Sequence, residues 1–540
     1  MFLVNDHASK ATISTVKETS MIKNFFKKTF YYFSIFTIVF STTTSFNNQA
    51  QAKNNDLGNN ETGTKANAES GAGTGGLLDG DSYIITAAAA SAAIINAGAT
   101  TTTTKFVNLT FNLGEANRVN IRGNAITNVV LMSGNVIVSQ DVASNLNIVD
   151  GALSIVGNIT DDTGTLTVNI NDGAALIITG ADSTNSAEIE GEGLLQINGN
   201  LSTTAIIGGA TPIGELEIAS GKTLTSSVAI NAATLDINGG AIAGAAGTSG
   251  SLKVTGVSDI QGDVTTGAVV GGFGQRYGAA VTISGTTVLT TTADVITFDN
   301  TVSTAGGAQA LTVNGAGKVI FENTVGASAA MGAIILTGEL DADAAITAAS
   351  MTVAGVSDLV GTVITSGIQT YTGAVTLASA GTENRIDASL ATFTGGIVGG
   401  GNDLDLNGNI STGAAITGVA ELNVSGTSSI GGSITTTDVQ TYVGAVTLTA
   451  GVTLDAGTNN AITFNNTVAS TGSARALTLD AGSAEVKFAN TVGAVGGQAM
   501  GAIVITGSLN ADNTITAASM TVTGVSDLVG TVITSGIQTY

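Results

Sequence analysis

The sequence has no cysteine and no tryptophan, and only one proline and one histidine among 540 residues. Without cysteine, a disulfide scaffold, a thiol nucleophile and a cysteine-ligated zinc site are excluded. Aromatic residues make up only 4% of the chain, which is low for a globular enzyme of this length. Cations are also scarce, and the net charge of −23 argues against nucleic-acid binding because phosphates would not be neutralised.

The residues that are abundant point to strands. The chain has 72 glycines and is 43% hydrophobic, so it is too apolar to be disordered. Most apolar residues are Val, Ile, Leu and Ala, and they alternate with small polar residues in short runs. β-Branched residues favour strands, while Gly, Asn, Asp and Ser favour turns. We therefore predict an all-β fold.

Residues 1–52 are predicted to be a signal peptide with an N-terminal extension. Lys23, Lys27 and Lys28 form a basic region before the apolar run at 30–40, and Ala50-Gln51-Ala52 has the form of a cleavage site. The run is short for a transmembrane helix, although an uncleaved membrane anchor is the alternative. Cleavage after Ala52 would remove the single histidine and leave a mature chain without His or Cys.

The next segment, residues 53–105, is predicted to be a flexible leader followed by an Ala/Thr-rich cap. Residues 53–76 are polar, rich in glycine and aperiodic. Residues 83–99 are rich in alanine, and five threonines follow them at 100–104. From about residue 106 onwards, strand-like runs recur roughly every ten residues, each ending at Gly, Asn or Asp.

Internal repeats decide between the possible β architectures. Residues 346–371 match residues 515–540 at every position except Ala354, which aligns with Thr523. A shorter Gln-x-Tyr motif begins at Gln275, Gln369, Gln440 and Gln538. We accordingly assign residues 106–274 to an N-terminal β-solenoid, 275–439 to a first repeat unit and 440–540 to a truncated second unit.

These features predict a parallel β-helix, or β-solenoid, built from repeats. One turn cannot bury its own apolar face, whereas stacked turns make a continuous core that duplication can extend. With turns of about 20–25 residues, residues 106–540 would form a rod on the order of 90 Å long. The alternative is a tandem array of β-sandwiches, which would normally use more core aromatics. Because the chain stops inside a motif, we also expect it to be a fragment of a longer repeat protein.

No catalytic, cofactor or metal residue is predicted. Asp161-Asp162 is the best carboxylate pair for a polysaccharide-active enzyme, but aspartate pairs are common in turns. Arg118 and Arg122 lie four residues apart and fit a solvated strand face equally well.

Three other short segments have features of binding sites but do not match a known binding motif. Residues 78–82 and 339–345 carry aspartates two apart, including Asp341 and Asp343, but neither fits a known calcium loop. The glycines at 271–278 lack the following helix and the Lys-Ser/Thr pair of a phosphate loop. Threonine is frequent, yet its spacing shows no regular ladder.

The signal peptide, the leader and repeats such as ITFNNTV (462–468) and QTYTGAVTL (369–377) resemble a known group. They are similar to the passenger regions of Gram-negative autotransporters and haemagglutinin-like exoproteins. Their composition and repeat pattern most resemble those of the rickettsial outer membrane protein A and B type of surface antigen. The resemblance implies export, passage through an outer-membrane barrel in cis or in trans, and display of a β-helical passenger. It also implies a C-terminal barrel, whose alternating pattern these residues do not contain.

We therefore expect a non-enzymatic adhesin or stalk on the bacterial surface. Its expected partners are an unidentified receptor on a host cell or another bacterium and the translocation barrel. Two alternatives stay open: a structural surface-layer protein and a polysaccharide-active β-helix enzyme.

Overall fold

The computed structural model describes the strands between residues 82 and 138 by their backbone, and residues 145–540 more fully. Within the second range, residues 162–163, 245–249, 268–273, 293, 316, 378–383 and 494–497 are not described. The chain divides into residues 1–48 and 49–540, and all described residues belong to the second unit. The predicted signal peptide and the leader up to residue 81 lie outside the described residues.

The described chain is a parallel β-solenoid of about 18 turns, each about 21 residues long. Each named strand pairs in parallel with strands one turn before or after it, so three parallel sheets run along the stack. We call them sheets A, B and C in the order in which the chain visits them within a turn. The described ranges contain no helix. The predicted solenoid is thus confirmed, and the alternative of tandem β-sandwiches is wrong because the strands pair between turns in parallel.

The strands follow a regular distribution over the three sheets. Sheet A contains Ser82–Ala87, Asn108–Leu113, Asn128–Ser133, Asn145–Ile148, Thr167–Ile170, Glu188–Glu190, Leu252–Val254, Gln275–Tyr277, Ile296–Phe298, Lys318–Phe321, Glu339–Ala342, Ser357–Leu359, Val375–Leu377, Ile397–Val398, Ile416–Val419, Ile434–Thr436, Val452–Asp455 and Gln538–Thr539. Sheet B contains Ala93–Ala97, Arg118–Gly123, Asn135–Val138, Ala152–Ile155, Ala175–Ile178, Leu194–Ile197, Ile213–Ile218, Val281–Ile283, Val302–Thr304, Thr362–Thr365, Leu422–Val424, Gln440–Tyr442, Ile462–Phe464 and Ser526–Leu528.

Sheet C contains Ser183–Asn185, Leu201–Thr203, Thr223–Ser226, Thr287–Thr291, Leu311–Asn314, Met331–Leu336, Ile368–Tyr371, Ser428–Ile430, Val446–Leu448, Val468–Ser470 and Val532–Thr534. Longer strands continue around a corner from one sheet into the next: Ile230–Gly244, Ser258–Thr266, Ile346–Val353, Asn384–Phe393, Leu404–Thr412, Leu477–Phe488, Met500–Ala511 and Ile515–Val522. The first residues of two other strands also pair on the neighbouring sheet: Ile213 on sheet A and Met331 on sheet B.

The core forms because alternate side chains of every strand point inwards and stack on the same position of the next turn. On sheet B, seven isoleucines stack in register and are almost completely buried: Ile155, Ile178, Ile197, Ile218, Ile237, Ile260 and Ile283. Each turn covers the apolar face of the turn before it, so the buried row lengthens with the chain.

The few aromatic side chains of the described core also stack along the ladders. Tyr277, Phe298 and Phe321 lie on sheet A with successive ring centroids 5.1 Å apart. Tyr371 and Phe393 stack on sheet C with their centroids 5.3 Å apart. A second triple stack on sheet B contains Tyr442, Phe464 and Phe488. Low aromatic content is therefore compatible with a well-filled core, because each ring packs on another ring one turn away.

Corners absorb the differences in turn length. Registered partners are as close as 17 residues, as for Met331 and Ala348, and as distant as 26 residues, as for Leu477 and Ile503. At the recurring Asn-Thr-Val corners, the asparagine side chain accepts a hydrogen bond from the next backbone N–H, as Asn300 does from Thr301 over 2.8 Å. Asn459, with φ of 66°, is the one described non-glycine residue with positive φ.

The alanine-rich stretch that begins near residue 83 contains the strands Ser82–Ala87 and Ala93–Ala97. Among the residues described, no helix has the length and hydropathy needed to cross a membrane.

Candidate functional site

Asp161, the best carboxylate candidate in the sequence, stabilises a turn. Its two carboxylate oxygens accept hydrogen bonds from the backbone N–H groups of Gly164, at 2.6 Å, and Leu166, at 2.9 Å. Its own N–H donates to the Ser186 hydroxyl over 2.6 Å. Asp162 lies outside the described residues. These contacts account for Asp161 as a turn residue, the reading that its sequence context favoured.

Asp341 belongs to a small charged group on the outer side of sheet A. It forms an ion pair with Lys318 and lies in register with Asp358 of the next turn. The hydrogen bond from Lys318 to Asp341 raises the pKa of the lysine amine. Burial, with the charge of Asp341 adding to it, raises the pKa of the Asp358 carboxyl. The two carboxylates of this group thus have one cation of the chain beside them, the Lys318 amine.

The second repeat replaces this pair with different chemistry at the same positions. Asn510 aligns with Asp341, and it donates a hydrogen bond to Glu485 over 3.2 Å. Glu485 aligns with Lys318, so the anionic partner has moved to the other strand. Across the described ranges, His, Cys, Asp and Glu form no group of three or more that is arranged to hold a metal ion. The pair thus varies between copies, as expected of a solvated surface contact.

The remaining candidate segments from the sequence form strands or lie outside the described residues. Arg118 and Arg122 are on the strand Arg118–Gly123, whose side chains are not described. Residues 78–81 and 268–273 are not described either. In the remainder of the glycine-rich segment, Gln275–Tyr277 is a strand, and Arg276 pairs with Asp299 over 2.9 Å.

The Gln-x-Tyr motif is a buried hydrogen-bonded unit, a role that its repetition in the sequence did not reveal. The Tyr371 hydroxyl donates to Gln369 Oε1 over 2.9 Å, and both side chains are fully buried. Gln369 Nε2 donates to the backbone carbonyls of Val363, at 3.2 Å, and Asp387, at 2.8 Å. The glutamine therefore ties a corner of its own turn to the following turn.

The same unit recurs at the two other buried copies. The hydroxyls of Tyr277 and Tyr442 each donate to the glutamine two residues earlier over 3.0 Å. Burial raises the pKa of all three tyrosine hydroxyls far above the ordinary value. These hydroxyls are neutral donors inside the core and are not available for acid–base chemistry with an external substrate.

The outer face of sheet C carries a row of hydroxyl side chains that uneven spacing concealed in the sequence. Six consecutive turns place a threonine or serine in register and partly exposed: Thr352, Thr370, Thr392, Ser411, Ser429 and Thr447. Turns of unequal length carry their extra residues at the corners, so residues 18 to 22 positions apart still lie in register on the sheet. The row gives this part of the face a series of uncharged hydroxyl groups.

Apolar side chains interrupt the polar surface at particular corners. Ile364 is the next-to-last residue of its strand on sheet B, and Ile368 begins the next strand on sheet C. Both are exposed, at 39% and 51%. Ile368 is in register with Leu390 of the next turn, which is also exposed. Such surface residues can make contacts with a partner but cannot carry out a reaction.

No family model, curated protein or solved structure matches this chain.

Proposed function

We propose that the protein is a non-enzymatic adhesin or stalk on the surface of a bacterium. In this proposal the chain is exported by its N-terminal signal, and an outer-membrane barrel translocates and anchors the solenoid. The observation that carries the proposal is the repeated, parallel stack of about 18 turns, whose length increases with each duplicated segment. Such a stack suits a protein whose task is to reach away from a surface.

The outer surface supports a contact role. Hydroxyl side chains on sheet C, charged pairs on sheet A and isolated apolar residues at corners provide many weak contact points. Weak contacts that repeat along one molecule add up through multivalency when a partner can engage several at once. The receptor would lie on a host cell or a neighbouring bacterium.

The described ionisable groups support a role without catalysis. Asp161 is hydrogen-bonded into a turn, and the tyrosine hydroxyls are buried. The group of Lys318, Asp341 and Asp358 differs in the second repeat. A polysaccharide-active β-helix enzyme would need a positioned carboxylate pair with matched pKa values.

The test is binding of beads coated with the full protein to monolayers of host cells and to bacteria. Beads coated with heat-unfolded protein at the same density are the control. Binding that saturates and is absent from the control supports an adhesin. Absence of binding to every surface would reduce the proposal to a stalk. Hydrolysis of a glycan panel that is lost in Asp161→Ala/Asp162→Ala protein would overturn it, and so would ordered arrays of purified protein in electron micrographs.

A further inference from the structure

The hydroxyl row on sheet C has a second row of small residues beside it. The residue two positions after each member of the row also faces outwards, because side chains alternate along a strand. Its backbone N–H donates to a carbonyl of the preceding turn, as that of Thr372 does to Val353 and that of Thr394 to Tyr371. These positions therefore stack as well, and they are Ala354, Thr372, Thr394, Gly413, Gly431 and Thr449.

A third row lies on the other side of the hydroxyl row, two positions before each of its members. Ile368 is in register with Leu390, which is in register with Asn409. On the next turn, the N–H of Thr427 donates to Asn409 Oδ1 over 2.9 Å. None of the residues in the three rows is charged. The members of the third row are Ser350, Ile368, Leu390, Asn409, Thr427 and Ala445.

The same turns carry charges on their other faces. On sheet B, Arg385 is in register with Asp405, and on sheet A, Asp358 belongs to the charged group described above. The whole chain has 40 acidic and 17 basic residues. A face of six turns without any charge is therefore a local property of sheet C, and it disfavours an anionic or a cationic ligand.

The hydroxyl groups of the central row are available to a ligand. Within the described ranges, the side chains of Thr352, Thr370, Thr392, Ser411, Ser429 and Thr447 make no hydrogen bond to another group of the protein. Each hydroxyl can donate one hydrogen bond and accept two. The hydroxyl groups of a sugar have the same dual capacity, so the two sets can pair in either direction.

The spacing of the row suits a ligand that itself repeats. Neighbouring parallel strands lie about 4.8 Å apart, so the six hydroxyls extend over about 24 Å in equal steps. A sugar residue in an extended polysaccharide is similar in length to one such step. Successive sugars would thus meet equivalent positions on successive turns, and Ile368 and Leu390 would contact the C–H groups of the sugar rings.

The size of the face disfavours a folded protein or a second copy of the chain. At about 3.3 Å per residue along a strand, the three rows span about 13 Å, so the face covers roughly 300 Å². A stable protein–protein interface buries about 800 Å² on each partner. A single narrow chain needs less area, because its contacts all lie along one line.

We infer that this face of sheet C binds an extended, unbranched and neutral polysaccharide whose chain runs along the axis of the solenoid. The inference names the class of receptor for the adhesin role proposed above and rests on that role. Each hydroxyl contributes little alone, but contacts that repeat on six turns add up along one polysaccharide chain. The affinity should therefore rise with the number of sugars until the row is filled, at about six sugars.

The test is electrophoresis of the purified protein through native gels that contain a soluble neutral glucan, mannan or xylan. At least one of them is expected to retard the protein, whereas the anionic polysaccharide alginate is not. Thr392→Lys should abolish the retardation, because a longer, charged side chain would stand in the middle of the row. The matched control is Thr441→Lys, at a partly exposed threonine on sheet B, which should be retarded like the wild type. Mobility in gels without polysaccharide corrects for the added charge.

A conservative variant and a series of oligosaccharides test the geometry. Thr370→Val with Thr392→Val keeps the shape of both side chains and removes two hydroxyls, so we expect binding to weaken by about tenfold. Oligosaccharides of the retarding polysaccharide should bind more tightly with each added sugar up to about six, and no more tightly beyond that length. Added salt should change the affinity by less than about twofold, because no ion pair forms.

Three results would overturn the inference: no retardation by any of the neutral polysaccharides, equal loss of binding in Thr392→Lys and Thr441→Lys, or stronger binding of alginate. A dimer that Thr392→Lys dissociates in analytical ultracentrifugation would assign the face to a second copy of the chain instead. Failure of the adhesin role is distinguishable from failure of this inference. Bead binding to cells that persists in Thr392→Lys protein would retain the adhesin and remove the polysaccharide as its receptor. Polysaccharide binding by a protein that binds no cell would retain the site and remove the adhesin.

Discussion

Residues 355–371 and 524–540 have the same seventeen amino acids but different surroundings. Both copies form a strand at Ser-Asp-Leu, both end at the Gln-Thr-Tyr motif, and both have a tyrosine–glutamine hydrogen bond. Burial differs sharply. Tyr371 is completely buried, whereas Tyr540 is 53% exposed, and Leu359 is 2% exposed against 37% for Leu528. Contact with the preceding turn is therefore sufficient for the strands to form, while the following turn buries their inward-facing side chains.

This comparison predicts its largest difference for loss of the tyrosine ring. Tyr371→Ala should destabilise the surrounding turns by about 3–5 kcal/mol, because it leaves a cavity beside Phe393. In a protein that comprises residues 1–540 alone, where no further turn covers Tyr540, Tyr540→Ala should cost less than about 1 kcal/mol. Native-state hydrogen exchange of the strands Ile368–Tyr371 and Asn384–Phe393 measures the first effect. Equal losses for the two variants would contradict the view that the following turn supplies the burial.

Loss of the glutamine should also destabilise the two copies unequally, but by a smaller difference than loss of the tyrosine ring. Gln369→Ala removes three hydrogen bonds and leaves the buried Tyr371 hydroxyl without its acceptor, so we expect a loss of about 2–3 kcal/mol. In the same protein of residues 1–540, Gln538→Ala should cost at most about 0.5 kcal/mol. The control is Gln369→Leu with Tyr371→Phe, which removes the tyrosine hydroxyl together with its partner and should recover part of the loss in urea unfolding. No recovery would contradict a hydrogen-bonding role.

Alkaline pH should act through the buried tyrosines. Burial raises the pKa of Tyr277, Tyr371 and Tyr442 above 10.0, the ordinary value for the unfolded chain. Their contribution to stability is complete below pH 10 and is lost as pH rises from there towards the raised pKa values, because the unfolded chain then releases protons first. Absorbance of tyrosinate should appear together with loss of circular dichroism. Tyr371→Phe should shift the alkaline midpoint upwards, because it removes one of these buried hydroxyls.

The smallest expected difference concerns the surface pairs of the two copies. Lys318→Glu with Asp341→Asn gives the first copy the polar pair of the second, and should change stability by less than about 0.5 kcal/mol. Lys318→Glu alone places an anion beside Asp341 and should destabilise by about 0.5–1 kcal/mol at low salt. Thermal unfolding at two salt concentrations measures both. A large loss in the double variant would show that the charges, and not only a polar pair, are required.

The sequence was sufficient to predict the solenoid, because alternation of apolar residues and long internal repeats both have a direct structural meaning. The predicted turn of about 20–25 residues agrees with the observed spacing of about 21. The placement of Gln369 on sheet C and of Gln440 on sheet B was not predictable, because nothing in the spacing of the two motifs shows which corner holds an insertion. The buried role of Gln369 was also hidden, since a glutamine in an alternating strand is normally placed on the solvent side.

The candidate site was less predictable than the fold. Sequence spacing identified Asp161 and Asp341, but only the structure shows that one is hydrogen-bonded in a turn and the other is paired with Lys318. The hydroxyl row on sheet C depends on register between turns of unequal length, which no single strand encodes. Export, anchoring and the predicted division into repeat units remain predictions.

The parallel stacking of turns has a mechanical consequence. The hydrogen bonds between turns lie along the axis of the stack, so a pull along that axis loads one turn at a time. A turn of about 21 residues occupies about 5 Å when folded and reaches about 70 Å when fully extended. Stretching a single molecule should therefore lengthen it in a series of steps of about 65 Å, one for each turn that unfolds. Each unfolding step limits the force on the rest of the molecule. Such a tether would yield in small increments under shear and re-form when the load is removed.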